Sequence, residues 1–392
     1  MINMTQKLVL SLTGLVMLVT MSCAVHPQSG YLARLEPPSG TYFGVLLDWE
    51  QDSPKAFNSR LGLPAAVYGE YIRFPFNIDN QRHLDTIVKL VAKERGIVFL
   101  TLEPEDGLKS ITPDVAQELA VRLATYNQQG IPIFVRFAHE MNGSWYTWCQ
   151  QPREFVRAFR LLAEAIHSTA PLTAMIWAPN YGGGYPFPFG HYRALPGTSD
   201  FQLLDTNRDG QLNMADDMYS PYYPGDDAVD WVGMSLYHWG RQYPWGENEV
   251  PEDATFMAKL TGTYAGLEGD HRPVPNFYGT YVQEHGKPMA ITGTAAFYNP
   301  SAGGADERAI KQTWWRQVFS PQVARRFPGI KMILWFECRK YEREINGIVD
   351  WTITSNPELT RAFSNDLPRS HLIFADDLPT FITSPNTKRN AP

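Results

Sequence analysis

One carboxylate in this sequence stands in company suited to chemistry. Glu140 follows the apolar run Val135-Arg136-Phe137-Ala138, with His139 before it and Asn142, Trp145 and Trp148 after it. A carboxylic acid, hydrogen-bonding imidazole and amide groups, and indole faces are what acid–base chemistry on a pyranose ring requires. Cleavage of a glycosidic bond by a retaining route needs a second carboxyl about 5–5.5 Å from the first, one to protonate the leaving oxygen and one to attack the anomeric carbon. Other apolar runs end in similar groups: Trp177 with Asn180, then Trp239, Tyr243 and Trp245, all suited to stacking on sugar rings. Asp48 and Glu103 close two further runs, where each can either bond sugar hydroxyls or cap the next helix. Aromatics and amides with few charges suit a neutral polymer.

These residues need a scaffold that brings run ends together. Strand-like runs occur at 42–47, 67–74, 97–102, 133–137, 174–177, 231–236, 289–291 and 332–335. They are short, almost continuously apolar and rich in β-branched or aromatic residues, as in a parallel sheet buried on both faces. Helical stripes lie between them: Leu84, Ile87, Val88 and Val91; then Val115, Leu119, Leu123 and Tyr126 behind a Thr112-Pro113 cap; then Phe155, Phe159, Leu162 and Ile166 after Pro152. Those stripes read as packing faces. Eight strands alternating with helices predict a single-domain (β/α)8 TIM barrel over 41–365, with its chemistry where the strands end. Residues 25–40 read as a linker and 366–392 as a Pro-rich tail.

The motif His139-Glu140-Met141-Asn142-Gly143 with Trp145 resembles the acid/base motif of glycoside hydrolase family 26, a group of (β/α)8 retaining β-glycanases that includes β-mannanases. The resemblance continues through Tyr222-Tyr223-Pro224-Gly225-Asp226, through 229–239 and through Trp335-Phe336-Glu337, so it spans nearly the whole barrel. It implies that Glu140 is the general acid/base, that His139 and Trp145 bind sugar beside it, and that Tyr237 steadies the nucleophile and the transition state. Asn142, Trp148, Trp177, Asn180, Trp239, Trp335 and Glu337 complete the expected substrate-binding set. The implied ligand is a β-linked polysaccharide or oligosaccharide, with mannan the first expectation.

The same resemblance places the nucleophile at the end of the seventh strand, within Met289-Ala290-Ile291-Thr292-Gly293-Thr294, and the matching residue is Gly293. Glycine has no side chain to attack an anomeric carbon, and losing that group ordinarily costs many orders of magnitude in rate. Three readings are open. The chain is a weak or dead relative that binds polysaccharide; Glu337 on the adjacent strand substitutes, activating a water; or a single codon changed in an otherwise active lineage.

A second motif is independent of the first. Asp205, Asn207, Asp209, Gln211 by its carbonyl, Asn213 and Asp216 fall at calcium-loop spacing around Gly210, with Asp216 where a longer Glu is usual. The alternative is a solvated acidic turn. Calcium would brace a rim loop, and no cofactor is expected for catalysis itself.

Residues 1–24 read as an export signal, with Lys7 ahead of an apolar stretch at 8–21, and predict a secreted protein. Cleavage before Cys23 and lipid anchoring is the alternative. No later segment is long enough to span a bilayer. Three cysteines exclude a disulfide-stapled miniprotein, leaving Cys149 and Cys338 either bridged or free. A net charge of -7 with dispersed Lys and Arg argues against nucleic acid, and the chain is expected to be a monomer.

Overall fold

The structure, a computed structural model, describes residues 32–240, 246–265 and 274–378. The expected export signal at 1–24 with Cys23, the residues Tyr243 and Trp245, and the tail beyond 378 lie outside the described residues.

The eight expected strands form. They are β1 (Thr41–Leu47), β2 (Val67–Arg73), β3 (Ile97–Glu103), β4 (Ile133–Phe137), β5 (Thr173–Trp177), β6 (Trp231–Ser235), β7 (Met289–Thr294) and β8 (Ile330–Glu337), each parallel to its neighbour in chain order. β1 pairs β8 from Tyr42 opposite Met332 to Leu47 opposite Glu337, which closes the sheet into a (β/α)8 barrel.

Alternation along each strand sorts side chains into two layers. Tyr42, Leu46, Phe99, Phe134, Trp231, Met332 and Leu334 fill the barrel, while Phe43, Val45, Val135, Phe137, Trp177 and Trp335 face the surrounding helices. Phe134 and Trp231 meet edge to face at 5.0 Å, so the lower barrel is packed and the open end carries the polar groups.

Helices α1 (Pro54–Leu61), α2 (Ile78–Lys93), α3 (Pro113–Gln128) and α4 (Pro152–Thr169) follow the first four strands. The Thr112 side chain accepts from the Val115 amide with Pro113 in the first turn, as its sequence predicts. On α4 the side chains Phe155, Phe159, Leu162 and Ile166 are all buried, each such burial contributing about 1.5–3 kcal/mol. The later connections are less regular: α5 (Ser199–Leu204) and α6 (Thr255–Leu260) are short, and a π-helix (Tyr278–Glu284) precedes β7. Two helices, α7 (Glu307–Val318) and α8 (Pro321–Arg326), lead to β8. A hairpin of β9 (Arg339–Glu342) and β10 (Gly347–Asp350) then stands on the rim before α9 (Pro357–Asp366).

Both flanking segments serve the barrel. In the expected linker, Leu35 is buried among the interior residues and its carbonyl accepts from the Tyr42 hydroxyl at 3.0 Å. The start of the expected tail wraps back as β11 (Leu372–Ile373), pairing with β1 at Thr41 and Tyr42, below the point where β2 begins to pair.

Candidate active site

The chain leaves β4 through two left-handed residues, Ala138 at φ 47° and Glu140 at φ 55°. Non-glycine residues in such conformations cost of order 1–3 kcal/mol each and persist where their surroundings hold them. Here the Ala138 amide donates to the Leu102 carbonyl at 3.0 Å and the Glu140 amide to the Ala178 carbonyl at 2.9 Å. Asn142 adds a clamp, its Nδ2 donating to the Asn180 carbonyl at 2.9 Å and its Oδ1 accepting from the Asn180 amide at 2.8 Å. The turn therefore fixes Glu140 at the barrel mouth.

Trp145 Nε1 donates to Glu140 Oε2 at 3.1 Å, and the Trp145 ring is 37% exposed beside it. Burial pushes the Glu140 carboxyl above the ordinary range, against the pull of Ser235, Arg136 and Trp145. A carboxyl so shifted holds its proton closer to neutrality and can donate it. His139 is 3% exposed, and burial with the Arg136 charge holds its pKa well below the usual value. Its neutral ring shares a 3.3 Å hydrogen bond with the Tyr146 hydroxyl. Glu103, at the inward-facing end of β3, is raised to about 7, chiefly by burial.

Across the barrel, β7 carries a bulge. Met234 and Ser235 of β6 are consecutive yet pair with Ile291 and Gly293, and β8 sees the same extra residue. Gly293 is not in the left-handed region, so backbone conformation does not demand glycine there. A Cβ at 293 would overlap the Tyr237 hydroxyl, so that side chain would have to shift, and would meet Leu46 Cδ1 at an ordinary 3.5 Å. Tyr237 itself packs edge to face on Phe336 and Trp351, and its carbonyl accepts from Lys259 Nζ at 2.7 Å.

Several expected site residues are placed elsewhere. Glu337 lies on the outer face of β8, where its carboxylate accepts from the Ile353 amide at 2.8 Å and from the Thr354 amide and hydroxyl at 2.9 and 2.5 Å. It anchors the segment after β10 and does not reach the cleft as a substitute nucleophile. Trp335 and Trp177 also face outward. Trp335 packs on Phe319 and Phe363 and donates to the Trp351 carbonyl at 3.0 Å, and Trp177 packs among Tyr223, Phe277 and Tyr281. Neither is a sugar platform, because strand alternation turns both toward the helices. Trp148 is buried behind His139, stacked on Tyr146 at 4.4 Å and donating to the His139 carbonyl. Asn142 is buried and consumed by its clamp. Trp239 is half-buried against Phe297 and Trp351, and Asp48 accepts from the Glu50 amide in a turn. The cleft therefore gathers Glu140, His139, Trp145, Tyr237, Gly293 and Glu103, with Asn180 at its edge.

Sequence reasoning assigned no role to Arg136, Tyr71 or Tyr146. Arg136 is wholly buried inside the barrel, with its guanidinium carbon 5.0 Å from the Tyr71 ring. An arginine inside an otherwise apolar strand was the available signal.

The loop at 205–216 is tied by its own amides. Asp205 accepts from Asp209 and Gly210, Asp209 from Gln211, and Asp216 from Thr206, Asn207 and Asn213. Among the described residues no group of three or more His, Cys, Asp or Glu is gathered as a metal site. Cys149 and Cys338 are both free thiols, so the bridge is not formed. No helix among the described residues is long and apolar enough to cross a membrane.

A closed parallel barrel with an acid raised on the end of β4 and an indole beside it has the architecture of a glycosidase. Residues 97–199, from β3 through Glu140 to the start of α5, match the model of glycosyl hydrolase family 26. The match covers about a quarter of the chain, and Gly293 lies outside the matched segment. The chain is 22% identical over 277 residues to Endoglucanase H of Acetivibrio thermocellus, covering 68% of this chain and 24% of that protein. It thus spans about a quarter of the length of this curated relative. Its fold is similar to GH26C from Muricauda sp. MAR_2010_75, at TM-score 0.55 and 16% identity over 89% of this chain and 91% of that one. It is also similar to the GH26 β-mannanase BoMan26A from Bacteroides ovatus, at TM-score 0.54 and 15% identity over 91% and 95%.

Proposed function

We propose that this chain acts on a β-linked neutral polysaccharide, mannan first, as an exported, monomeric glycoside hydrolase of the family 26 type in which Glu140 is the proton donor and turnover is severely reduced. The observation that carries this reading is the unequal pair of strand ends. Glu140 is raised, half-buried and hydrogen-bonded to an exposed indole, whereas the opposite position has glycine with the Tyr237 hydroxyl against it. The mannanase and endoglucanase relatives support the choice of a β-linked glycan. Export rests on the composition of residues 1–24, with anchoring through Cys23 as its variant.

A second reading is a polysaccharide-binding protein without turnover, and the position of the Tyr237 hydroxyl favours it. A double displacement requires a group at 293 that attacks the anomeric carbon, and none is supplied there. Incubation of the purified chain with β-mannan, mixed-linkage glucan and xylan, read by reducing ends and by affinity electrophoresis, separates the two. Slow hydrolysis that Glu140→Gln abolishes supports the enzyme. Retarded migration with no new reducing ends in either the native chain or Gly293→Glu supports the binder, and neither binding nor cleavage overturns both.

Calcium is proposed only as a brace of the loop at 205–216. A carboxylate has about four lone-pair directions, so those that accept amides there retain coordinating capacity.

A further inference from the structure

Three aromatic side chains near Trp145 take no part in the chemistry at Glu140. Phe187, Phe189 and Tyr192 belong to the loop between β5 and α5, and Phe187 meets the Trp145 ring edge to face at 5.1 Å. Phe189 is 76% exposed and Tyr192 44%. Large apolar side chains gathered on the surface beside a cleft mark a binding face.

This loop is seated on the segment that carries Trp145. Ser144 Oγ donates to the Phe187 carbonyl at 2.5 Å, and the Ser144 carbonyl accepts from the Tyr192 amide at 2.9 Å. Gln150 is buried, donating through Nε2 to the Pro186 carbonyl and accepting at Oε1 from the Ala194 amide, both at 2.8 Å. Two glycines permit the close approach. A Cβ on Gly190 would stand 2.0 Å from Ser144 Oγ and 2.2 Å from the Ser144 carbonyl oxygen. A Cβ on Gly143 would stand 2.5 Å from the Trp145 ring, so the indole rests on the backbone of Gly143. Gly190 follows Phe189 and Ser144 precedes Trp145, so their contact sets the two exposed rings on neighbouring stretches of chain. Pro186 and Pro188 alternate with Phe187 and Phe189, and their fixed φ stiffens the run. Rings held in advance lose little freedom when a ligand covers them.

We propose that Phe187, Phe189 and Tyr192 extend the Trp145 platform into a track for several consecutive sugars of a β-linked glycan. The C–H faces of pyranose rings are apolar and cover aromatic faces, whereas a fragment confined to the sugar at Glu140 does not reach Phe189 or Tyr192. The chain therefore selects long glycans over short fragments. The inference rests on the glycan reading given above and adds to it where the polymer lies.

Calorimetric titration of the full chain with manno-oligosaccharides and cello-oligosaccharides of increasing length tests the track. Native affinity is expected to keep rising as sugars are added beyond the one at Glu140. Phe189→Ala and Tyr192→Ala, at exposed side chains, should each cut affinity for the longest oligosaccharide about tenfold and flatten the rise with length. Gly190→Ala keeps every ring and should flatten the rise as well, by lifting the loop from Ser144. If that variant fails to fold, the two exposed variants decide. A rise with length in Phe189→Ala and Tyr192→Ala equal to the native one overturns the track and leaves the glycan reading standing. No binding by the native chain at any length overturns both. Native self-association in sedimentation that both variants abolish makes this face an interface between copies, and overturns the track too.

Discussion

The indole N–H of Trp145 meets the Glu140 carboxylate at 3.1 Å while the same ring is 37% exposed at the mouth of the barrel. One side chain thus touches both the acid and the space a ligand would occupy. Trp145→Phe keeps a ring for stacking and removes the donor, so Glu140 should titrate at still higher pH with glycan retention lowered only slightly. Trp145→Ala should also lower retention about tenfold, as for loss of roughly 1.4 kcal/mol of stacking. Carboxyl NMR of labelled protein and affinity electrophoresis read the two effects separately.

Burial raises Glu103 to about 7, which ties stability to pH. Its folded pKa exceeds the unfolded value of about 4.3, so the native state binds a proton that the unfolded chain has lost. That contribution is complete below the unfolded pKa and is lost as pH rises through the folded one. Thermal midpoints should therefore fall between about pH 4.5 and pH 7, and Glu103→Gln should shrink the fall by about 2–4 °C. An identical profile in the variant would remove Glu103 as its source.

The Asn142 clamp predicts a structural cost with a local readout. Asn142→Ala leaves the Asn180 amide and carbonyl without their partners, which should destabilise the chain by about 1–3 kcal/mol in urea unfolding. Because the clamp joins the segments after β4 and β5, glycan retention should fall as well, even in the fully folded variant.

Glu337→Gln distinguishes an anchor from a nucleophile. The variant replaces one oxygen acceptor with a donor facing the bonds from Ile353 and Thr354, so it should lose about 2–3 kcal/mol of stability. Any residual hydrolysis, measured below the unfolding transition, should keep its rate. A selective collapse of rate would return Glu337 to the chemistry.

Calcium, if it braces the loop at 205–216, should raise the thermal midpoint saturably over magnesium, with the gain lost in Asp209→Ala. No difference between calcium and chelator leaves the loop's own hydrogen bonds as its whole support.

The strands were legible because burial on both faces writes a continuous apolar run. That same continuity hides which residues point inward. Trp177 and Trp335 looked like platforms from their place at run ends, yet alternation set them against helices. Glu337 erred for the same reason, one position from the inward-facing side. Glu140 was legible because a motif surrounded it, and the absence at 293 was visible as a letter. What fills that absence was not, since Tyr237 lies 56 positions away in the chain and only closure of the barrel brings the two together. Short crossovers such as α5 and α6 carry too few turns to show a stripe.

The two-residue strand β11 joins Leu372 and Ile373 to Thr41 and Tyr42, the first residues of the first stave. During synthesis the seam at the foot of the barrel cannot be sealed until nearly the whole described chain has left the ribosome. Final closure therefore waits for residues 372 and 373, and a nascent chain halted before residue 372 should remain open to protease at that foot.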